Sequence, residues 1–416
     1  MLRRVEITNF RSCENVVLTE LKGILALVGR NGAGKTNILR AIEWASKTAV
    51  STQPSTVDMI QLFFRAALPE VSLFFKTSNG SFVYSVGQVS ITQEGSRAQF
   101  SVGLNEKLSR ILPSGPEPIV SRTKEKVTLH ERNQELAIGA STPALKALIA
   151  ILPEEDQLHG LLKDVTSYFE GVRYYPLEKL DTSSRFIQGA VYQSWSEAMN
   201  VSSQFSDDSL AMRLIDLKLH RPEDFNEITE LVGPNGLNII SKMSVDEVRI
   251  PTTVHSGNGG VDNAELETEE NPSTPPDFYL VNFWPAGFDD KKKSQMPFGF
   301  DDLSYGTKRL LTIVTSIIFD RSTVLLIEQP EDGIHIGLLN KLTPMLRAYS
   351  ENMQFVLASH SRDVLDRFHP SELRLVSLNA GKSSARALTE AEIVMAERFI
   401  AEEGPLSDFI ETLGED

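Results

Sequence analysis

The sequence predicts an α/β protein with a core of buried strands, an antiparallel β-subdomain and a mainly helical insertion. Three observations predict it. Ile24 to Val28 is continuously apolar and runs into a glycine-rich loop followed by apolar residues at helical spacing. Val324 to Ile327 is a second apolar run, and it stops abruptly on Glu328, Gln329, Pro330 and Glu331. A third run, Phe355 to Ala358, stops on Ser359, His360 and Ser361. Short, unbroken apolar runs are what strands buried on both faces require. Strands alternating with helical patterns point to an α/β core.

Composition sets the outer bounds. The 416 residues are 41% apolar and 23% charged, which leaves room for two or three lobes around a full-sized core. A lone cysteine, Cys13, excludes a disulfide framework and fits a reducing compartment. No run reaches the roughly 18 to 20 apolar residues that cross a bilayer, and the first residues read as a strand, so a cytoplasmic location without membrane contact is expected. The net charge of −15 repels nucleic acid overall. Arg3, Arg4, Arg11, Lys22 and Arg30 crowd the first lobe, and Lys291 to Lys293 read most simply as solvated side chains. Direct DNA contact is permitted by this pattern and not indicated by it.

Residues 1–104 read as an N-terminal lobe. LRRVEIT alternates as a strand should, and VVLTEL and ILALV follow before Gly29, Arg30, Asn31, Gly32, Ala33, Gly34, Lys35, Thr36 and Asn37. Ile38, Leu39, Ile42 and Ala45 then recur at helical spacing. Strand, glycine loop and helix in that order form a phosphate-binding P-loop: backbone N–H groups and the helix N-terminus face phosphate oxygens. Lys35 would reach the outer phosphates and the Thr36 hydroxyl would ligate Mg²⁺. From 69 to 103, VSLFFK, FVYSVGQVSIT and AQFSVGL read as antiparallel strands broken at Asn79 and Gly80.

The pattern predicts a mainly helical insertion over 105–250, carried by ALKALIAIL, LHGLLKDVTSYF, LAMRLIDLKL and FNEITELV. Heptads do not persist, so long coiled-coil arms are excluded. Tyr174 and Tyr175 in VRYYPL read as core packing rather than ligand stacking. Residues 251–280 are polar, acidic and rich in Gly, Pro, Ser and Thr, and read as a flexible loop. Residues 281–378 form the expected C-terminal lobe, and 379–416 a hairpin around Asn379 to Lys382 followed by two helices.

The C-terminal lobe supplies the rest of the site. Ser304, Tyr305 and Gly306 in LSYGTKR precede Leu310, Leu311, Val314, Ile317 and Ile318 at helical spacing, which puts a hydroxyl and close backbone at a helix N-terminus. Glu328 closes a buried strand, where a carboxylate is placed to hold a metal. His360, at the end of another strand on the same edge, is placed to meet a γ-phosphate or the attacking water. His335, in the loop after the acidic strand, reads as a satisfied loop histidine or a second candidate.

Together LRRVEITNFRS, GRNGAGKT, LSYGTKR, LIEQPEDGIH and LASHS resemble the ABC-type ATPases, in the branch that includes RecF, SMC heads and OLD-like proteins. The resemblance covers roughly 1–60 and 295–375 and is weak between them. It implies an ABC/SMC-head-like P-loop NTPase core that binds ATP and Mg²⁺ and hydrolyses ATP. Lys35 and Thr36 would bind phosphate and metal, Glu328 would hold the metal, and His360 would be the switch histidine. It also implies a head-to-tail homodimer in which Ser304 and Gly306 complete the site of a second copy. A glutamine after the first helix, Gln53 or Gln61, would sense the γ-phosphate. The chain departs from the family at Gln329, where a glutamate normally polarises water. An amide cannot accept a proton, so a slow site, a trapped one or substitution by Glu331 is expected.

The resemblance extends to function. Only 56 residues follow His360 and no DxD occurs, so the expectation is that the chain does not itself carry a Toprim nuclease. It is similar to ATPase subunits of Septu- or PARIS-type anti-phage systems, which hold a separately encoded nuclease or toxin. The second reading is a RecF-like DNA clamp in repair, and a transporter motor is the least favoured.

Overall fold

The computed structural model describes residues 1–51, 68–93, 99–176, 184–201, 209–250, 276–287 and 296–413. In chain order the first strands are β1 (Leu2–Phe10), β2 (Cys13–Leu18), β3 (Ile24–Val28), β4 (Glu70–Thr77), β5 (Gly80–Gln93) and β6 (Gln99–Leu112). Then come β7 (Gly115–Thr123), β8 (Lys126–Leu129), β9 (Gln134–Ala137), β10 (Val172–Tyr175), β11 (Phe186–Gln188) and β12 (Ile240–Val248). The last are β13 (Phe278–Pro285), β14 (Val324–Glu328), β15 (Gln354–Ser359), β16 (Leu373–Asn379) and β17 (Lys382–Ala387). The chain divides into two units, one of residues 1–179 with 321–416 and one of residues 180–320.

The first unit holds two sheets. One has the order β10-β14-β15-β3-β16-β17, with every pair parallel except β16 and β17. Its central strands β3 and β15 are buried at every residue, as a sheet covered on both faces demands. The other sheet is antiparallel, in the order β2-β1-β4-β5-β6-β7-β8-β9. The helix Lys35–Val50 touches β10 and β15 of the first sheet and β1 and β4 of the second. It can do so because Ala41, Ala45 and Ala49 are small and fully buried beside Ile38, Leu39 and Ile42. Gln354 ties the sheets together: its side-chain amide donates to the carbonyls of Leu2 at 2.8 Å and Lys22 at 2.9 Å.

The antiparallel sheet runs well past the expected limit at residue 104, and the stretch 105–137 is strand rather than helix. The helical expectation rested on runs from Ala144 onward, and none of them lies between 105 and 143. In β6 the inward residues are Leu104, Glu106 and Leu108, so a buried carboxylate interrupts the alternation that marks a strand. Glu106 accepts from Arg122 at 3.0 Å, from the Tyr84 hydroxyl at 2.8 Å and from the Ala144 N–H at 2.8 Å. Burial pushes its pKa up, and the bond from Ala144 and the charge of Arg122 oppose that shift. Arg122 also donates to the carbonyls of Thr142 and Gly139, so the guanidinium fastens the following loop to the sheet. Helices begin only at Ala144–Ile151 and Gln157–Glu170.

In the second unit β11, β13 and β12 form an antiparallel sheet in that order. With it lie the helices Gly189–Val201, Leu210–His220, Pro222–Val232 and Tyr305–Phe319. The last is held at its C-terminus by cations, as the orphan carbonyls and the helix dipole favour. Arg221 donates to the carbonyls of Ile318 at 2.9 Å and Phe319 at 3.0 Å, and Arg213 pairs with Asp320 at 3.3 Å. Strand β12 replaces the helix expected up to residue 250, and β13 begins inside the loop expected up to residue 280, although its run FYLVNFWP is rich in the aromatic and β-branched residues that favour strands. After β15 the expected hairpin and two helices are present, as β16, β17, Glu390–Glu402 and Leu406–Thr412. Lys291 to Lys293 and nearly all of the expected loop 251–280 lie outside the described residues.

Because both Glu106 and Arg122 are buried, removing one partner strands the other charge. We predict that Arg122→Met lowers the stability of the first unit by about 3 to 5 kcal/mol. Much of that loss should return in the double variant Glu106→Leu/Arg122→Met, measured by urea unfolding. Equal losses in the single and double variants would refute the pairing.

Candidate phosphate and metal site

The site lies where the parallel strands of the first unit end. Val28 pairs with Ser359 and Glu328 with Ala358, so the carboxyl ends of β3, β15 and β14 share one edge. In open α/β sheets that edge is where ligands bind. It carries the glycine loop after β3, Glu328 at the end of β14 and His360 directly after β15.

The loop from Gly29 to Gly34 is shaped by close approach. A Cβ on Gly29 would lie 2.1 Å from the Val376 carbonyl oxygen on β16, and one on Gly34 would lie 2.0 Å from Ser383 Oγ on β17. Gly34 also has φ 105°, which L side chains rarely adopt. Ser383 Oγ is 2.7 Å from both the Ala33 carbonyl oxygen and Ser12 Oγ. Asn37 donates to Ser12 Oγ at 2.7 Å and accepts from Arg11 at 3.3 Å. The P-loop is therefore backed by the β1–β2 turn and by the C-terminal hairpin. Arg30, Asn31 and Gly32 face solvent, whereas Ala33, Gly34 and Lys35 are buried.

Lys35 Nζ donates to the carbonyls of Gly29 at 2.6 Å and Arg30 at 2.9 Å. Burial pulls its pKa below the ordinary lysine value, and the carboxylates of Glu331 and Glu328 oppose that shift. The Thr36 hydroxyl touches Glu328 Oε1, and Tyr174 donates to Glu328 Oε2 at 2.7 Å. The guanidinium of Arg40 sits over the Tyr174 ring at 5.0 Å. Burial, reinforced by the bond to Glu328, holds the Tyr174 phenol well above its usual value, so it stays a proton donor.

Gln329 and Glu331 occupy different environments. Gln329 has φ 45°, and its N–H donates to the Ala358 carbonyl at 2.7 Å while its carbonyl accepts from Asp332 at 3.1 Å. Its backbone is thus pinned as the first residue of a tight turn. Glu331 is folded back onto the strand ends. Its Oε1 accepts from Ser359 Oγ at 2.6 Å and from the His360 N–H at 3.4 Å, and lies 3.8 Å from His360 Nδ1. Its Oε2 is buried without a hydrogen-bond partner. One oxygen of this carboxylate is thus anchored and the other uncommitted, and its charge is felt at Lys35.

The remaining expected residues fall elsewhere. Ser304 is the N-cap of the helix Tyr305–Phe319 and accepts from the Thr307 N–H at 3.2 Å; it and Tyr305 are exposed, while Gly306 is buried. These three belong to the second unit. His335 is an ordinary cap, accepting from the Gly337 N–H at 3.1 Å. Gln53 and Gln61 lie outside the described residues. Three contributors were not foreseen. Tyr174, read as core, reaches Glu328 because β10 pairs in parallel with β14, a long-range fact no local pattern shows. Ser12 and Ser383 back the loop from positions 371 residues apart; Ser12 closes the motif LRRVEITNFRS without a role having been read there, and Ser383 carries no sequence signal.

The donors fit a nucleotide with a divalent cation. Gly34 lets the loop pack directly on Ser383 and Ser12, which any side chain there would prevent, and Lys35 is the cation that follows it. Thr36 and Glu328 present touching oxygens of the kind Mg²⁺ takes, with the remaining positions left to phosphate and water. Among the described residues no group of three or more His, Cys, Asp or Glu could hold a metal by itself. No helix among them is long and apolar enough to cross a membrane.

Comparison with known proteins agrees. The family model described as "AAA domain, putative AbiEii toxin, Type IV TA system" matches residues 24–366, most of the chain. The chromosome partition protein Smc of Methanocaldococcus jannaschii is 33% identical over 95 residues, which are 22% of this chain and 8% of that protein. The chain thus spans only a small part of the curated relative it matches. Among solved structures, an Smc head bound to the C-winged helix domain of ScpA superposes with a TM-score of 0.50 at 14% identity, covering 95% of this chain and 99% of that one. At that identity the likeness shows the fold, and the expected SMC-head-like architecture stands.

Gly34→Ala must either displace Ser383 or open the loop. We predict that it weakens binding of a fluorescent ATP analogue at least ten-fold, with the far-ultraviolet spectrum unchanged; unaltered affinity would mean that this packing does not shape the phosphate loop.

Proposed function

Since the chain belongs to this AAA-domain family of P-loop ATPases, we propose that it is an ATP-driven switch in which ATP closes a head-to-tail homodimer and slow hydrolysis reopens it. The observation that carries this reading is the convergence of Lys35, the Thr36–Glu328 pair and the Glu331–Ser359–His360 group on one sheet edge. Magnesium-bound ATP supplies the terminal phosphoryl group to be cleaved. Lys35 would leave the Gly29 and Arg30 carbonyls to hold the outer phosphates. Thr36 and Glu328 would hold the metal, with Tyr174 fixing the carboxylate by its second oxygen.

Glu331, not Gln329, takes the proton of the attacking water in this proposal. Its free Oε2 can accept one, whereas the amide at 329 can only orient water. His360, next to Glu331 and exposed, is suited to report the state of the γ-phosphate. Ser304 and Gly306 of a second copy would close the site from the other side, which suits an exposed hydroxyl at a helix N-terminus.

Glu331→Gln keeps an acceptor for Ser359 and loses the base. Turnover should fall about 100-fold with ATP affinity retained. Gln329→Glu should leave turnover within a few-fold; a large gain there would return the role to position 329.

A place in a defence complex with a separately encoded nuclease or toxin is part of this proposal. The family description names a Type IV toxin–antitoxin system, which supports the defence context, and names the toxin as a member of the family itself rather than as a partner. In the slow Glu331→Gln background, sedimentation should show an ATP-dependent dimer that Ser304→Arg abolishes. The trapped dimer, used as bait in its native cells, should retain a stoichiometric effector. Recovery of DNA without one would favour a repair clamp, and a persistent dimer in Ser304→Arg would end the trans-site reading.

A further inference from the structure

Both oxygens of Glu328 are engaged, one from the phosphate loop and one from a neighbouring strand. Thr36 touches Oε1, and the Tyr174 hydroxyl donates to Oε2 at 2.7 Å. The second bond is a product of strand register. Tyr174 pairs with Leu326 across the parallel β10 and β14, and Leu326 and Glu328, two residues apart, lie on the same face of β14. The phenol ring therefore starts beside Leu326 and spans the distance to the carboxylate at the strand end.

The ring is held there by a cation. The Arg40 guanidinium lies over it, 5.0 Å from the centroid, where the negative face of the ring attracts positive charge. Arg40 and Thr36 are four residues apart on the helix Lys35–Val50 and so share one of its faces. That face reaches Glu328 twice, directly at Oε1 through Thr36 and indirectly at Oε2 through Arg40 and Tyr174. Tyr174, Arg40 and Glu328 are all half-buried, so the arrangement sits at the rim of the core, where the strand edge meets ligand.

A carboxylate tied down at Oε2 offers a cation only Oε1, beside the Thr36 hydroxyl. Mg²⁺ demands near-octahedral coordination and takes single oxygens, whereas the larger Ca²⁺ takes roughly six to eight and readily accepts both oxygens of one carboxylate. We propose that Tyr174, held by Arg40, is a positioning residue that makes Glu328 a one-oxygen ligand and thereby sets a preference for Mg²⁺ over Ca²⁺ as the cation bound with ATP. The inference rests on the ATP-switch reading and adds to it which cation the switch accepts. Tyr174 acts through Glu328, as partners behind a metal ligand generally do.

The test measures the affinity of the full chain for a fluorescent, non-hydrolysable ATP analogue in excess Mg²⁺, in excess Ca²⁺ and in EDTA. The unaltered chain should bind about ten-fold or more tightly with Mg²⁺ than with Ca²⁺. Tyr174→Phe removes only the hydroxyl; its affinity with Mg²⁺ should fall about ten-fold and its preference should shrink to within about three-fold. Affinity in EDTA should not move, whereas general damage to the phosphate loop would lower it. Arg40→Met keeps the phenol but frees the ring, and should narrow the preference in the same direction. An unmoved Mg²⁺-to-Ca²⁺ ratio in Tyr174→Phe, or an unaltered chain indifferent to the cation, would overturn the proposal and leave the ATP-switch reading standing. No binding of the analogue by the unaltered chain under any of the three conditions would end both.

Discussion

The parallel pairing of β14, β15 and β3 is the constraint on which the site depends. Each strand contributes one chemical element at its carboxyl end: Glu328, the Ser359–His360 pair and the P-loop. Parallel strands require crossover connections, so residues from 24 to 360 are brought to one edge only when the whole first unit is assembled. The free energy that assembles it comes from the fully buried strands and the alanine-rich helix between the sheets. The chemistry then sits on the rigid ends of a buried framework.

The polar groups of the site are arranged by pairs that hold one another. Tyr174 and Thr36 share the two oxygens of Glu328, and Ser359 anchors one oxygen of Glu331. Lys35 is buried, pulled below its ordinary pKa, and satisfied by loop carbonyls. These bonds turn its ammonium toward the loop's own carbonyls. The backing by Ser12 and Ser383 extends that order to the β1–β2 turn and the last hairpin. The phosphate loop is thereby in direct contact with the β1–β2 turn and the last hairpin.

A different economy governs the β-subdomain. Glu106, Arg122 and Tyr84 put a charged network inside an otherwise apolar sheet, and Arg122 uses its other donors on the loop at 139–142. A buried pair of this kind adds little net stability over apolar side chains, but it fixes register and tethers a loop. It also disguised the strand. The inward position that should have read as apolar is a carboxylate, so the alternation that marks a strand is broken there.

The sequence by itself determined the P-loop, the acidic strand end, the strand ending at His360, the closing hairpin and the α/β class. Each rests on short-range rules: apolar run length, glycine spacing and helical period. Only the tertiary structure decided that the antiparallel sheet continues to Ala137, that Tyr174 holds Glu328, and that Ser12 and Ser383 back the loop. It also separated Gln329 from Glu331, one pinned by its backbone in a turn and the other folded back with an oxygen to spare. Those outcomes depend on strand pairing between residues far apart in the chain, and pairing energy is invisible to any local window.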